Sequence, residues 1–384
     1  MNQKEQVLLL AIQKSLWNTD VTFPEDADWK AVLGEAVQQT VLGIVEGVAP
    51  EEYRNEWKSV SSFNTAHFLR VLHYQSELCN LMKAHTIPMA ILKGTAAAIY
   101  YPTPLQRTAG DIDFLVAGEY IESAKDLLAE NGYEIKDDPR YPRHVEVCKD
   151  GISFEMHRFF TDNDGVDVDR FLFDGLHRTE QGQIYNTAFP MLPPVENGLV
   201  LLAHIAHHLR EGLGLRQMID WMMYVDRKLD DEAWENGFRA ASEKTGLDML
   251  ARVATRMCQM YLGLSERFTW CRTAEDDLCN SLLNNLLSSG NFGRKRGEGL
   301  KVESTVSHLK RKGFRHLQQA GEHNWEAYHR HKWLKPFAWI YQIGRYAKQG
   351  VQMKREGKQI IEDIGRGKKR SDLYQKLIPG QSKE

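Results

Sequence analysis

The stretch Leu92–Val116, LKGTAAAIYYPTPLQRTAGDIDFLV, holds two aspartates that flank one isoleucine and precede an aliphatic run. Because side chains alternate along a strand, Asp111 and Asp113 point to the same side, about 7 Å apart. A strand that continues into Phe114-Leu115-Val116 is expected to be buried. Two carboxylates on such a strand are costly unless a cation meets them, and without one we expect a raised pKa for at least one of them.

The spacing suits two oxygen ligands of one or two Mg²⁺ ions. An Asp-x-Asp pair taken alone is better explained as the solvated acidic face of an edge strand. Three further features favour a metal and phosphate site. Gly94 ends a short strand and Thr95 begins a helix, which suits a phosphate. Glu155, between hydrophobic residues of ISFEMHRF, would reach the same metal from a neighbouring strand, and Lys93 and Arg107 would neutralise phosphates.

The 384 residues are 42% hydrophobic and 26% charged, which is globular composition with room for more than one core. No apolar run approaches the ~18 residues of a membrane helix. The start, MNQKEQVLLLAIQKSLW, indicates an amphipathic helix, so we expect no signal peptide. The five cysteines form no CxxC pair, which favours free thiols and a cytoplasmic location.

The periodicity predicts an α+β fold, in which a small mixed sheet is flanked by N-terminal helices and a larger C-terminal helical region. Asp150-Gly151 is a strong hairpin signal between two of its short strands. The predicted regions are N-terminal helices at 1–84, the core at 85–190, a helical cap region at 191–300 and a basic helical tail at 301–384.

The motifs LKG…YP…R…GDIDFLV, FEMH and H…H…GLRQMIDW resemble a family of uncharacterised bacterial nucleotidyltransferases. That family is similar to the superfamily of polymerase beta and the kanamycin nucleotidyltransferases. The resemblance covers roughly 85–225 and continues weakly toward 345. It implies an enzyme that moves a nucleoside monophosphate from an NTP, such as ATP, to an acceptor hydroxyl with Mg²⁺, or with Mn²⁺ as the alternative.

On this resemblance Asp111 and Asp113 hold the metals, Glu155 is the third carboxylate, and Gly94 and Thr95 cradle the β- and γ-phosphates. The chain departs from the pattern in two places. Gly-Thr stands where Gly-Gly or Gly-Ser is usual, and the segment between helix start and aspartates is longer.

The helical region supplies further candidates. Arg216 and Asp220 are spaced for an ordinary helix salt bridge. The resemblance instead implies Asp220 as the base that activates the acceptor and Arg216 as a phosphate contact. His204, His207 and His208 share a helix face. A metal pair is conceivable there, but partly buried histidines that face the catalytic core are the favoured interpretation.

His157 lies two residues after Glu155, on the same strand face. It is expected either to hydrogen-bond Glu155 or the substrate, or to be a simple polar residue at the strand end.

The tail is basic, while the rest of the chain is acidic. Residues 301–384 contain 19 Lys and Arg against 8 Asp and Glu, a balance of +11, and residues 1–300 carry the opposite balance of −14. Its aromatic residues Trp333, Phe337, Ile340 and Tyr341 favour a helix packed on the body. Peripheral membrane contact and RNA binding are the second and third interpretations.

Three functions are therefore carried forward. The first is a nucleotidyltransferase with a small-molecule acceptor, such as a sugar or an antibiotic-like alcohol. The second is a toxin-like nucleotidyltransferase that modifies tRNA or protein, and the third is a catalytically silent binding module. Three carboxylates together argue against the silent module.

Overall fold

The computed structural model describes residues 1–138, 142–161, 168–290, 318, 325, 332–341 and 370–379. The described residues divide into two compact units. One comprises the described parts of Met1–Arg294 and Leu373–Glu384, and the other the described part of Lys295–Asp372. The sheet and the helices that flank it belong to the first unit.

A seven-stranded mixed sheet forms the centre of this unit. Its strands are β1 (Met89–Leu92), β2 (Ile112–Val116), β3 (Glu134–Lys136), β4 (His144–Lys149), β5 (Ile152–His157), β6 (Glu180–Ile184) and β7 (Thr187–Met191). Their order is β3-β4-β5-β2-β1-β7-β6. β2 runs parallel to β5 and β1 runs parallel to β7, whereas the other neighbours are antiparallel.

Helices surround the sheet. They are α1 (Gln3–Trp17), α2 (Trp29–Gln38), α3 (Leu42–Val45), α4 (Glu51–Ala84), α5 (Gly94–Ala98), α6 (Ile121–Glu130), α7 (Val168–Leu176), α8 (Pro194–Glu211), α9 (Leu215–Lys228), α10 (Asp231–Ala233), α11 (Arg239–Lys244), α12 (Asp248–Leu262) and α13 (Asp276–Ser289). Shorter helical turns lie at Glu46–Val48, Pro104–Gln106, Gly118–Tyr120, Trp234–Phe238 and Lys332–Phe337. Residues 370–377 are also helical. Of the helices that the structure describes, none combines the length and the apolar character needed to cross a membrane.

The predicted α+β class is confirmed. β1 and β2 are buried at every residue, as the apolar runs MAIL and IDFLV predict. Asp150 and Gly151 have φ of +49° and +75° and form the predicted turn between β4 and β5. The four-region division of the chain stays a prediction.

The sequence reasoning missed the β6–β7 hairpin. Its alternation is visible in QIYNTAFPM, where Ile184, Phe189 and Met191 are buried and their neighbours are more exposed. The turn is a Tyr-Asn pair in which Tyr185 adopts φ of +51°, so the Gly signal that marks the first hairpin is missing. This hairpin extends the sheet beyond β1.

Helix α9, in the helical region, is buried over most of its length. Its side chains from Leu215 to Val225 are all buried. The amide of Gln39 fixes its start, since Oε1 accepts a hydrogen bond from the Leu215 N–H at 3.0 Å. Two of the buried residues of α9, Arg216 and Asp220, are charged, and this anchoring fixes their position.

In the second unit, Trp325 and Tyr341 stack with ring centroids 5.1 Å apart. Trp333, Phe337 and Ile340 are exposed, so the structure does not support the prediction that they form a packed apolar face. Most of the basic tail, including the run at 365–369, lies outside the described residues. The predictions of RNA or membrane contact therefore stay predictions.

Two glycines test the packing of the helical region. A Cβ on Gly198 in α8 would lie 2.5 Å from the Phe238 ring and 2.6 Å from Tyr224, whereas a Cβ on Gly34 in α2 meets nothing within 4 Å. We expect Gly198→Ala to destabilise the fold by about 1–3 kcal/mol through overpacking. Gly34→Ala should instead stabilise it by about 0.5–1 kcal/mol through helix propensity. Thermal unfolding of both variants checks the pair, and equal melting shifts would contradict the packing.

Candidate active site

The sheet brings the three predicted carboxylates together. β2 lies between β1 and β5, and in the parallel β2–β5 pair Asp113 lies beside Glu155. Asp111 directly precedes β2 and lines the same cavity as the other two. The neighbouring strand on which the sequence argument depended is therefore present, and it is β5.

His157 joins this group from β5. Its ring is buried, and Nε2 lies 2.9 Å from Asp113 Oδ1 and 3.5 Å from Glu155 Oε2. One ligand atom from each of Asp113, Glu155 and His157 falls within 4.8 Å of the others. Of the alternatives for His157, the structure shows the contact with Glu155, and the group has the donor chemistry of a divalent-cation site.

Two carboxyl groups of the cluster have shifted pKa values of opposite sign. The charge of Asp113, followed by desolvation, raises the pKa of Asp111, as expected for paired carboxylates without a metal. Burial alone would raise the pKa of Glu155. The hydrogen bond from His157 and the charge of Lys93 outweigh burial and lower it to about 2.

His157 is shifted toward its charged form. Burial lowers its pKa, but the hydrogen bonds to Asp113 and Glu155 raise it further, so the net shift is upward. An imidazolium is the form that best compensates two carboxylates.

Lys93 supplies a second cation. Its Nζ lies 2.7 Å from Asp113 Oδ1 and 5.3 Å from the centroid of the Phe160 ring. The residue adopts φ of +47°, which is uncommon for a side chain other than glycine, and Gly94 follows with φ of +39°. This strained turn between β1 and α5 places the ammonium group among the acids.

The carboxylates open into a cavity of about 160 Å³. Gly94 and the three acids line this cavity. Arg143, which precedes β4, and Arg216 of α9 add positive charge, and Arg107 also lines the cavity. The site is therefore a pocket in which a small anionic cluster meets several cations.

The histidines of α8 line the cavity, as the favoured interpretation predicts. The ring centroids of His204 and His208 lie 4.5 Å apart. Burial, followed by neighbouring positive charges, lowers the pKa of His204 well below its usual value and that of His208 to about 2. Both imidazoles are neutral at physiological pH.

Thr95 lies behind the cavity. Its hydroxyl donates a hydrogen bond of 2.6 Å to Gln75 Oε1 on α4, and its side chain is buried. The hydroxyl therefore anchors α5 to α4 and does not line the cavity. Of the predicted Gly-Thr pair, Gly94 is the residue that lies at the cavity wall.

Asp220 and Arg107 form a buried ion pair. Arg107 Nε and Nη2 each donate to one Asp220 oxygen at 2.8 Å, and the Tyr101 hydroxyl donates to Oδ1 at 2.7 Å. Asp220 does not line the cavity. The structure does not support the prediction that Asp220 is the acceptor base, because both of its oxygens already accept hydrogen bonds and it does not line the cavity. Arg216, predicted as a phosphate contact, does line the cavity.

The sequence reasoning missed three cavity-side residues. Arg143 lines the cavity and His144 Nε2 lies 3.8 Å from Glu155 Oε1. The signal for Arg143 and His144 was available, because they begin RHVEVCKD, the short strand that the Asp150-Gly151 turn signal joins to the strand of Glu155. Tyr374 also lines the cavity, from the helix at residues 370–377. Its distance along the chain from the other site residues gave no signal.

We expect Asp220→Asn to destabilise the fold by about 3–5 kcal/mol, because it leaves the buried Arg107 guanidinium without its charged partner. The measurement is the melting temperature. Arg239→Ala, which removes exposed pairs with Glu235 and Glu243, is the control and should change it little. Loss of activity in Asp220→Asn with an unchanged melting temperature would instead restore the base role.

We expect the fold to lose stability as the pH falls below about 6.5, the ordinary pKa of histidine in the unfolded chain. His208 has a lowered pKa when folded, so below that pH the unfolded chain binds a proton that the folded chain does not. The contribution approaches about 1.4 kcal/mol per pH unit. His208→Asn should make the fall in melting temperature between pH 7.5 and 5.5 shallower. His177→Asn, at an exposed position, should not, and identical slopes in both variants would contradict the assignment.

Comparison with known proteins agrees with this geometry. The model of a family described as uncharacterised nucleotidyltransferase matches residues 25–263. That range contains the sheet, the carboxylate cluster and both helices that carry the cavity histidines and Arg216. No curated protein matches the chain. The chain belongs to this family of nucleotidyltransferases, which are transferase enzymes.

Proposed function

We propose that the protein transfers a nucleoside monophosphate from an NTP to an acceptor hydroxyl, with Mg²⁺ or Mn²⁺ as the metal. The observation that carries the proposal is the pairing of Asp113 with Glu155 on adjacent parallel strands, with Asp111 at the same cavity. The family membership supports the reaction class. The arrangement of strand, Gly94, helix and paired acids also supports a place in the polymerase beta superfamily.

The residues present fit a divalent cation. Carboxylate oxygens suit Mg²⁺ and Mn²⁺, and a histidine nitrogen within the same group also suits Mn²⁺. Asp111, Asp113 and Glu155 would hold the metal, with His157 beside them. When bound, the metal would neutralise the triphosphate and the leaving pyrophosphate.

The cations of the cavity would bind the triphosphate. Lys93, Arg143 and Arg216 line it, and each offers N–H donors to phosphate oxygens. Gly94 also lines the cavity and has no side chain, so its backbone permits close approach of the phosphates. We assign Arg107 a smaller part, because its guanidinium is committed to Asp220.

The acceptor is proposed to be a small molecule. The proposal is supported by His204 and His208, which line the cavity, are neutral and offer hydrogen-bonding groups. A cytoplasmic site of action is supported by five cysteines that form no disulfide. The two alternatives are a tRNA or protein acceptor and a silent binding module. Each corresponds to a different outcome of the test.

Thermal shift with ATP, GTP, CTP and UTP, with and without Mg²⁺ or Mn²⁺, tests the proposal. Saturating nucleotide should stabilise the wild type by about 2.7 kcal/mol at 100 times its dissociation constant. Asp111→Asn/Asp113→Asn should abolish the metal-dependent part, because the metal loses two carboxylate ligands.

The matched control is Asp137→Asn, which removes a carboxylate bound to Arg158 and Lys125 away from the cavity. It should keep the full shift. No shift with any of the four nucleotides would reject the transferase and favour a silent module. If one nucleotide gives a shift, the same nucleotide carrying a label on its nucleoside monophosphate part shows where that part is transferred. Transfer of the label only to added tRNA would replace the small acceptor by RNA.

A further inference from the structure

The Asp113 carboxylate is already bound by cations from the chain itself. Lys93 Nζ lies 2.7 Å from Oδ1, and His157 Nε2 lies 2.9 Å from the same oxygen. The Lys93 side chain is 12% exposed and that of Asp113 is 3% exposed, so water screens this pair little. The ammonium group would thus compete with a metal ion for the Asp113 carboxylate.

The influence of Lys93 extends over the whole cluster. Its charge lowers the pKa of Asp111 and that of Glu155, although other groups set the net direction for Asp111. Lys93 is therefore a shared counter-ion of three carboxylates, and more than the partner of one.

The position of Lys93 is fixed by the fold. Leu92, the preceding residue, pairs with Asp113 across the β1–β2 ladder. The turn that follows holds Lys93 at φ of +47°, and its ammonium lies over the Phe160 ring. A strained backbone at a functional site is retained where the surrounding structure requires that conformation.

We propose that Lys93 is the resting counter-ion of the carboxylate cluster and must leave Asp113 before a divalent cation binds. A free cation would have to displace an ammonium group whose anionic partners are the same carboxylates that would bind the metal. A cation that arrives with a triphosphate brings a further anion, to which the Lys93 side chain transfers. The metal consequently binds well only together with the polyphosphate, and this inference rests on the proposed function.

The test is titration of the protein with Mn²⁺ alone. The affinity for Mn²⁺ is measured by calorimetry or from the electron paramagnetic resonance signal of free Mn²⁺. Lys93→Met removes the charge and keeps the length of the side chain. We expect it to bind Mn²⁺ roughly tenfold or more tightly than the wild type, because the competing charge is gone. Lys125→Met, which removes a lysine that pairs with Glu122 and Asp137, should bind like the wild type.

A second variant ties the gain to the cluster. Lys93→Met/Asp113→Asn should lose the added Mn²⁺ affinity. Equal Mn²⁺ affinity in wild type and Lys93→Met, or a gain that survives the Asp113 substitution, would overturn the inference.

The wild type provides a measurement that does not depend on the folding of a variant. In equilibrium dialysis, the protein should retain Mn²⁺ when inorganic tripolyphosphate is present and retain at least tenfold less when it is absent. Equal retention in both conditions would overturn the inference. Neither experiment uses a nucleotide. If the protein binds a nucleotide but Lys93→Met does not increase its Mn²⁺ affinity, only the counter-ion role of Lys93 is refuted. A gain without any nucleotide binding would refute the transferase proposal alone.

Discussion

The repulsion among three carboxylates, two at the start of β2 and one within β5, is the constraint on which the site depends. Asp113 is buried, and Glu155 lies beside it on the parallel strand. Such a cluster is stable only if cations meet it. In the structure Lys93 and His157 provide that compensation from within the chain, and both contact the same Asp113 oxygen. The negative charge of the site is thus compensated by cationic side chains of the same chain.

A second electrostatic contact joins the helical region to the sheet. Arg107, in the segment before β2, reaches the Asp220 carboxylate of α9 with both ends of its guanidinium. Tyr101 adds a third hydrogen bond to this carboxylate. The pair fixes α9, and with it Arg216, at the cavity. The long segment between α5 and β2 therefore has a structural use, as it carries the arginine that connects the two regions.

The carboxylates and the core strands were predictable because they depend on local rules. Alternation along a strand put Asp111 and Asp113 on one side, and an acid within an apolar strand marked Glu155 as unusual. The role of Asp220 was not predictable, since its i−4 neighbour Arg216 suggested a local pair, whereas its bidentate partner is distant in sequence. Tyr374 enters the cavity from residues 370–377, and only the folded chain reveals that contact. Lys93 was predicted as a phosphate contact, but its hold on Asp113 depends on a strained turn that sequence does not show.

The most direct test of the central claim is a crystal structure with Mn²⁺ and a non-hydrolysable analogue of the NTP that binds. Anomalous scattering from manganese locates the metal independently of the protein density. We expect a peak bonded to Asp113 and Glu155, with the triphosphate beside Gly94 and the Lys93 ammonium on a phosphate oxygen. A bound triphosphate with manganese elsewhere, and Lys93 still on Asp113, would contradict it.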